Sequence, residues 1–312
     1  MSTRKNSKKH NSIQYLVLLL SIVFLISGCA TKSPLEKLRA SQMESMRQRP
    51  EAPVPDLPDL DADGLEALGD RYVANNDYYQ AFLQYEKSLK LQPDTPRLHY
   101  KQGLLYLRTG KLNAAATSFE KVLAKEPENA FAHEGLGTAL MYMKKYEPAE
   151  THLRKSIELN PKLWKARNFL GNIYDFQKKY DLAAKEYAEA ILLKPEEGLL
   201  YNNLGVSLSL AGRYEESIHA FKKALENKGP TEKVYNNLGL VLAKIGDDDT
   251  ALEFFKKGST TAQAYNNLGC VYMAWGEYEK AAQAFNKAIA ASPKFYQKAY
   301  ENLKKVEVGK VQ

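Results

Sequence analysis

The chain has 312 residues, of which 44% are hydrophobic and 26% charged, a composition typical of a folded protein rather than a disordered one. Its formal net charge is +7, but four basic residues and no acidic residue precede residue 29, so the remainder carries only +3. This near balance gives no support for nucleic-acid binding, which depends on clustered positive charge.

The N-terminus, over 1–28, has the layout of a secretory signal peptide. Residues 1–11 are polar and basic, and the uncharged apolar run from Ile13 to Ile26 is shorter than the about 20 residues that a membrane-spanning helix needs. The end of the run and the three residues after it read LISGC, over 25–29, which resembles the lipobox of bacterial lipoproteins. The resemblance implies cleavage before Cys29 and lipidation of Cys29, and Ala30 implies outer-membrane delivery, facing the periplasm. An uncleaved signal anchor is the alternative.

Residues 29–61 combine this cysteine with a proline-rich spacer, which we predict to be extended apart from a short helix over residues 35–47. Once Cys29 is lipidated, the sequence offers no second cysteine to pair with Cys270, so no disulfide is expected. We expect Cys270 to be a small side chain packed within a helix.

Glycines recur at regular intervals along the chain. The interval is constant through Gly69, Gly103, Gly137, Gly171, Gly205 and Gly239, and it is shorter only before Gly269. Each glycine is followed at fixed distances by a small residue and then a bulky one, as in Ala149 and Leu153 after Gly137, and prolines end most repeats. This pattern over residues 62–295 resembles the tetratricopeptide repeat.

The resemblance implies an all-α fold, a right-handed superhelix (α-solenoid) of about seven helix-turn-helix repeats. We place the repeats at 62–95, 96–129, 130–163, 164–197, 198–231, 232–261 and 262–295, followed by a capping helix and tail over 296–312. One helix pair cannot bury its own apolar stripe, so neighbours must stack. We expect the glycine and the small residue to let paired helices approach closely, and the short sixth repeat to perturb the superhelix.

In tetratricopeptide proteins the first helices line a concave surface, chiefly through repeat positions 2, 5, 6, 9, 12 and 13. Our candidate peptide-binding residues at these positions are Tyr100, Lys101, Phe131, Phe169, Asn168, Asn172, Asn203, Asn237 and Asn267. Asparagine is a poor residue for a helix interior, so its repetition suggests a use. The amides could pair with the backbone of an extended peptide. The alternative is that they bond to neighbouring repeats and order the stack.

No motif for catalysis stands out, since the sequence lacks a phosphate-binding loop, a metalloprotease motif and a nucleophile elbow. His99 and His133 share position 4 of successive repeats, but stacked helices lie about 8–10 Å apart, which argues against a shared metal. We therefore expect no enzyme activity, no cofactor, no metal and no small-molecule substrate.

The resulting hypothesis is a membrane-anchored scaffold for protein–protein interactions in the bacterial cell envelope. The lipobox, proline-bearing spacer and repeats resemble the TadD-type lipoproteins of tight-adherence (Flp) pilus systems, which implies assembly of a pilus or secretion machine. Two alternatives stay open: a pilotin for a type IV pilus secretin, and an adaptor that recruits peptidoglycan enzymes or proteases.

Overall fold

The computed structural model describes residues 60–292 and 296–309. The predicted signal peptide, Cys29 and nearly all of the spacer lie outside the described residues. Within the described ranges the chain forms fifteen α-helices and no β-strand, and the helices follow one another in helix-turn-helix pairs. The predicted all-α fold of paired helices is therefore confirmed.

The described chain divides into two compact units, which meet in sequence between Lys194 and Pro195. The N-terminal unit contains four helix pairs, one in each of the first four repeats. They are α1 (Ala62–Ala74) with α2 (Tyr78–Leu91), α3 (Pro96–Thr109) with α4 (Leu112–Lys125), α5 (Ala130–Tyr142) with α6 (Tyr146–Leu159), and α7 (Trp164–Phe176) with α8 (Tyr180–Leu193).

The C-terminal unit contains three helix pairs and a final single helix. They are α9 (Gly198–Leu210) with α10 (Tyr214–Glu226), α11 (Thr231–Lys244) with α12 (Asp248–Gly258), α13 (Thr261–Ala274) with α14 (Tyr278–Ala290), and α15 (Gln297–Gly309). Helix α15 covers the end of this unit, because Ala299 and Val306 are fully buried.

In each repeat a bulky side chain of the second helix packs directly against the glycine of the first helix. The contact leaves no room for a Cβ atom, so glycine is required there. A Cβ atom on Gly69 would lie 2.4 Å from the ring of Tyr85, and one on Gly137 would lie 2.7 Å from Leu153 Cγ. The same clash recurs in all seven repeats. We expected the glycine to face the small residue, but the space beside it is filled mainly by the bulky side chain of the second helix.

These bulky side chains also connect neighbouring repeats. The ring of Phe119 is fully buried and lies between Gly103 of its own repeat and Gly135 of the next, where added Cβ atoms would come within 2.8 and 2.5 Å of it. Because this one ring packs against two successive first helices, repeats two and three share part of their core.

The short turns inside the pairs each place one residue in the left-handed region of the backbone. Glycine occupies this place in four turns, for example Gly212 with φ of 79°. Asn76, Lys144 and Lys178 occupy it in the others, with φ near 60°. Since this conformation costs an L-residue roughly 1–2 kcal/mol, the turns with lysine are under local strain.

The short sixth repeat loses the end of its second helix. Helix α12 has 11 residues and ends at Gly258, where a Cβ atom would lie 2.8 Å from the carbonyl oxygen of Glu232. Helix α13 begins directly after Thr260, which forms a capping box with Gln263. Because Gly258 has no side chain and Thr260 caps the next helix, only two residues separate the end of α12 from α13, the first helix of repeat seven.

Candidate peptide-binding surface

Three aromatic side chains are more than half exposed on the first helices of repeats three and four. Phe131 and Tyr142 on α5 are 51% and 53% exposed, and Phe176 on α7 is 54% exposed. Phe131 and Tyr142 are separated by about three helical turns, so both lie on one face of α5. Exposed apolar area that is grouped in this way is typical of an interaction surface.

Ring contacts join these residues to their neighbours. The ring centroids of Tyr142 and Phe169 lie 6.2 Å apart in an edge arrangement, and those of Tyr146 and Phe176 lie 5.1 Å apart in a stack. Phe169 is half-buried and packs against the core of repeats three and four. We call Phe131, Tyr142, Phe169 and Phe176 the aromatic face.

Tyr100 lies at the edge of a neighbouring cavity of about 390 Å³. The cavity is also lined by Pro96, Arg97, Glu126, Asn129 and Phe131. The centroid of the Tyr100 ring lies 5.8 Å from that of Phe119, edge to face, so part of this side chain belongs to the core and the rest is open to a ligand.

Lys101, another predicted site residue, is held by the preceding repeat. Its Nζ lies 2.6 Å from Glu66 Oε1 and 2.6 Å from Asp70 Oδ2. Arg97 Nη2 lies 2.7 Å from the other oxygen of Glu66. The structure thus places Lys101 in an ion-pair network between the first two repeats.

Sequence reasoning missed Glu134, which lies on α5 between Phe131 and Tyr142. Its side chain is half-buried and, among the described residues, its carboxylate has no hydrogen bond and no ion pair. Burial raises the pKa of Glu134, and the charge of Lys165 offsets this only in part. Burial likewise raises the pKa of Tyr100, and the charge of Glu134 raises it further, so the two groups are close.

The asparagines of repeat four are engaged inside their unit. The hydroxyl oxygen of Tyr187 lies 2.7 Å from Asn172 Oδ1 and 2.8 Å from Asp175 Oδ2, and its single hydrogen can be donated to either oxygen. Asn168 is almost fully buried. Of the aromatic and asparagine candidates in this repeat, Phe169 is the one that lies in the aromatic face.

The asparagines of the C-terminal unit bond to one another across repeats. Three Nδ2 groups each donate to an Oδ1 of the preceding helix pair: Asn237 to Asn202 at 3.1 Å, Asn267 to Asn236 at 3.3 Å and Asn302 of α15 to Asn266 at 3.0 Å. Asn203 Oδ1 accepts from Asn202 at 3.3 Å. We call this set the asparagine ladder. These bonds supply a direct role in ordering the stack, while peptide contact by Asn203, Asn237 and Asn267 stays a prediction.

Family models for the tetratricopeptide repeat match most of the helical region. One model matches residues 100–162, 134–198 and 202–260, a second matches 69–110, and a third matches 262–295. Together with the paired helices and the recurring glycine contacts, these matches decide the family. The chain belongs to the tetratricopeptide repeat family.

Solved tetratricopeptide structures share this fold. A tetratricopeptide repeat protein from Parabacteroides merdae ATCC 43184 is 19% identical, with a TM-score of 0.57 over 79% of this chain and 98% of its own. PilW, described as a type IV pilus biogenesis factor, is 18% identical, with a TM-score of 0.58 over 62% of this chain and 90% of its own. At these identities the likeness establishes the fold alone. A search of curated protein sequences found no match.

Two histidines of this tetratricopeptide chain, His99 and His133, bond to the ends of repeats. Nε2 of His99 lies 2.9 Å from the carbonyl oxygen of Pro93, and Nε2 of His133 lies 2.9 Å from that of Pro127. His133 also contacts His152 through their Nδ1 atoms at 2.9 Å. In the described ranges no group of three or more histidine, cysteine or acidic side chains is placed to hold a metal ion. No described helix is long and apolar enough to cross a membrane.

Proposed function

We propose that this protein is a lipid-anchored scaffold that binds other proteins or extended peptides in the bacterial cell envelope and serves the assembly of a pilus or secretion machine. The observation that carries the binding role is the aromatic face, where three large side chains on the first helices of repeats three and four remain more than half exposed. Aromatic side chains contribute most of the binding energy in many protein interfaces.

The envelope location rests on the sequence of the N-terminus. Lipidation of Cys29 with two or more acyl chains would hold the protein at a membrane, since each buried methylene contributes about 0.8 kcal/mol. Wild-type protein should incorporate labelled palmitate and lose residues 1–28, and Cys29→Ser should do neither. A wild-type protein that stays membrane-bound with no palmitate and an intact N-terminus would instead support an uncleaved signal anchor.

The binding role can be tested in native envelopes with the full chain. Phe131→Ala, Tyr142→Ala and Phe176→Ala combined should remove the partner proteins that the wild type captures after chemical crosslinking. Tyr79→Ala is the matched control, because Tyr79 is also 53% exposed but lies on the second helix α2. Unchanged capture by the triple variant, or equal loss in the control, would reject this surface.

The link to a pilus or secretion machine rests on the resemblance of the lipobox, spacer and repeats to pilus-assembly lipoproteins. Deletion of the gene should prevent pilus assembly or protein export in the host, and wild-type protein but not the triple variant should restore it. Full assembly in the deletion strain would contradict this role and leave only the general binding function.

A further inference from the structure

Glu66 and Glu134 occupy equivalent places on the first helices of repeats one and three, two repeat lengths apart. The side chain of Glu66 is 6% exposed and is neutralised by two cations from the next repeat, Arg97 and Lys101. A carboxylate at repeat position 5 can therefore form ion pairs with two cations of the following repeat, one at position 2 and one at position 6.

Around Glu134 this arrangement is incomplete. The equivalent residues of the following repeat are Lys165 and Phe169. Lys165 is exposed, its Nζ lies 5.6 Å from the ring centroid of Trp164, and it forms no ion pair with Glu134. Phe169 replaces the second cation with an apolar ring. A half-buried carboxylate thus lacks the two ion pairs that its equivalent forms.

The surroundings of Glu134 suit a positively charged side chain from outside. Phe131 lies one turn before Glu134 on the same helix, and Phe169 lies at the position from which Lys101 reaches Glu66. Aromatic rings attract cations, and the carbon stems of lysine and arginine pack well on them. A divalent metal would need several oxygen ligands, and none of the described residues supplies a cluster of them here.

We propose that Glu134 determines the specificity of the aromatic face by accepting a lysine or arginine side chain of the bound polypeptide. Apolar side chains beside that cation then contact Phe131 and Tyr142. This inference rests on the proposed binding function, because it names the chemistry of the segment that the aromatic face recognises.

The test uses the full-length chain in detergent micelles and a random peptide library displayed on phage. Parallel selections are made on the wild type, on Glu134→Gln and on Glu120→Gln. Glu120 is exposed on the second helix α4, so its substitution removes the same charge away from the aromatic face.

Wild type and Glu120→Gln should enrich peptides with lysine or arginine next to apolar residues. Glu134→Gln should lose the preference for basic residues and keep the preference for apolar ones. A peptide from the wild-type selection should bind Glu134→Gln about tenfold more weakly, since a hydrogen bond to a charged group is lost. The difference should shrink as the pH falls and Glu134 becomes protonated.

Two results would overturn the inference, and they can be told apart. If binding depends on Tyr142 but the preference for basic residues is the same in Glu134→Gln, or absent from the wild type, only the role of Glu134 fails. If Tyr142→Ala weakens the binding of no enriched peptide, both the role of Glu134 and the proposed binding function fail. Thermal unfolding of each variant shows that a loss of binding does not reflect a loss of fold.

Discussion

Gly137→Ala tests why each repeat carries a glycine in its first helix. The added Cβ would lie 2.7 Å from Leu153 Cγ and 3.2 Å from the carbonyl oxygen of Ala149. Leu153 is fully buried, and the carbonyl belongs to the backbone of α6, so neither can move without shifting the second helix.

Two effects of this substitution oppose each other. Alanine favours a helix interior over glycine by up to about 1 kcal/mol. Overpacking a well-filled core costs typically about 1–3 kcal/mol, and a tight contact with backbone nearby belongs at the upper end. We therefore expect Gly137→Ala to lower the free energy of unfolding by roughly 1–2 kcal/mol, and Gly137→Leu to lower it further.

Urea unfolding followed by circular dichroism measures this quantity, and a double-mutant cycle with Leu153→Ala identifies the cause. Leu153→Ala alone should cost about 2–5 kcal/mol because it leaves a cavity. In the double variant the new methyl group occupies part of that cavity, so the double loss should be smaller than the sum of the single losses. Strict additivity, or a Gly137→Ala protein as stable as the wild type, would refute the proposed packing.

Three further predictions concern turns, the asparagine ladder and buried charge. Lys144→Gly should raise the free energy of unfolding by up to about 1 kcal/mol, and Gly212→Ala should lower it by about as much, because both positions have positive φ. Melting temperatures that shift in the same direction in the two variants would contradict this. Asn302→Ala should cost about 1–3 kcal/mol, because it leaves the fully buried Asn266 without its donor, and an unchanged melting temperature would count against the ladder. Glu66→Gln should lower the free energy of unfolding at pH 7, because Arg97 and Lys101 each lose one of their two carboxylate partners, whereas Glu134→Gln should raise it. The raised pKa of Glu134 means that its charged form weakens the folded state, so the gain from Glu134→Gln should fade as the pH drops through that pKa; destabilisation at pH 7 would show that the carboxylate already has a partner.

The helix pairs could be predicted because each local signal repeats seven times. A single glycine in a helix is ambiguous, but glycine followed at fixed distances by a small and a bulky residue specifies two packed helices. The covering role of α15 also followed from its apolar period. The contact between this glycine and the bulky side chain was not predicted, because a fixed spacing along the chain does not show which side chain fills the space beside the glycine.

The candidate site was harder to predict, because the first-helix positions that were predicted to contact a peptide also serve packing between helices. Phe131 and Phe169 lie in the aromatic face, whereas Lys101 is used in ion pairs between repeats and the asparagines bond within their units. Glu134 was not predicted as a site residue, because its proposed role depends on the absence of the ion pairs that Glu66 forms. The available signal was the contrast between repeats: Glu66 is followed by Arg97 and Lys101, and Glu134 by Lys165 and Phe169.

The claim that the aromatic face binds another polypeptide can be tested directly by site-specific photocrosslinking in living cells. A photoreactive phenylalanine analogue at Tyr142 of the full-length protein should form a covalent adduct with a partner, and the same analogue at Tyr79 should not. Adducts at neither position, or equal adducts at both, would contradict the assignment of this surface.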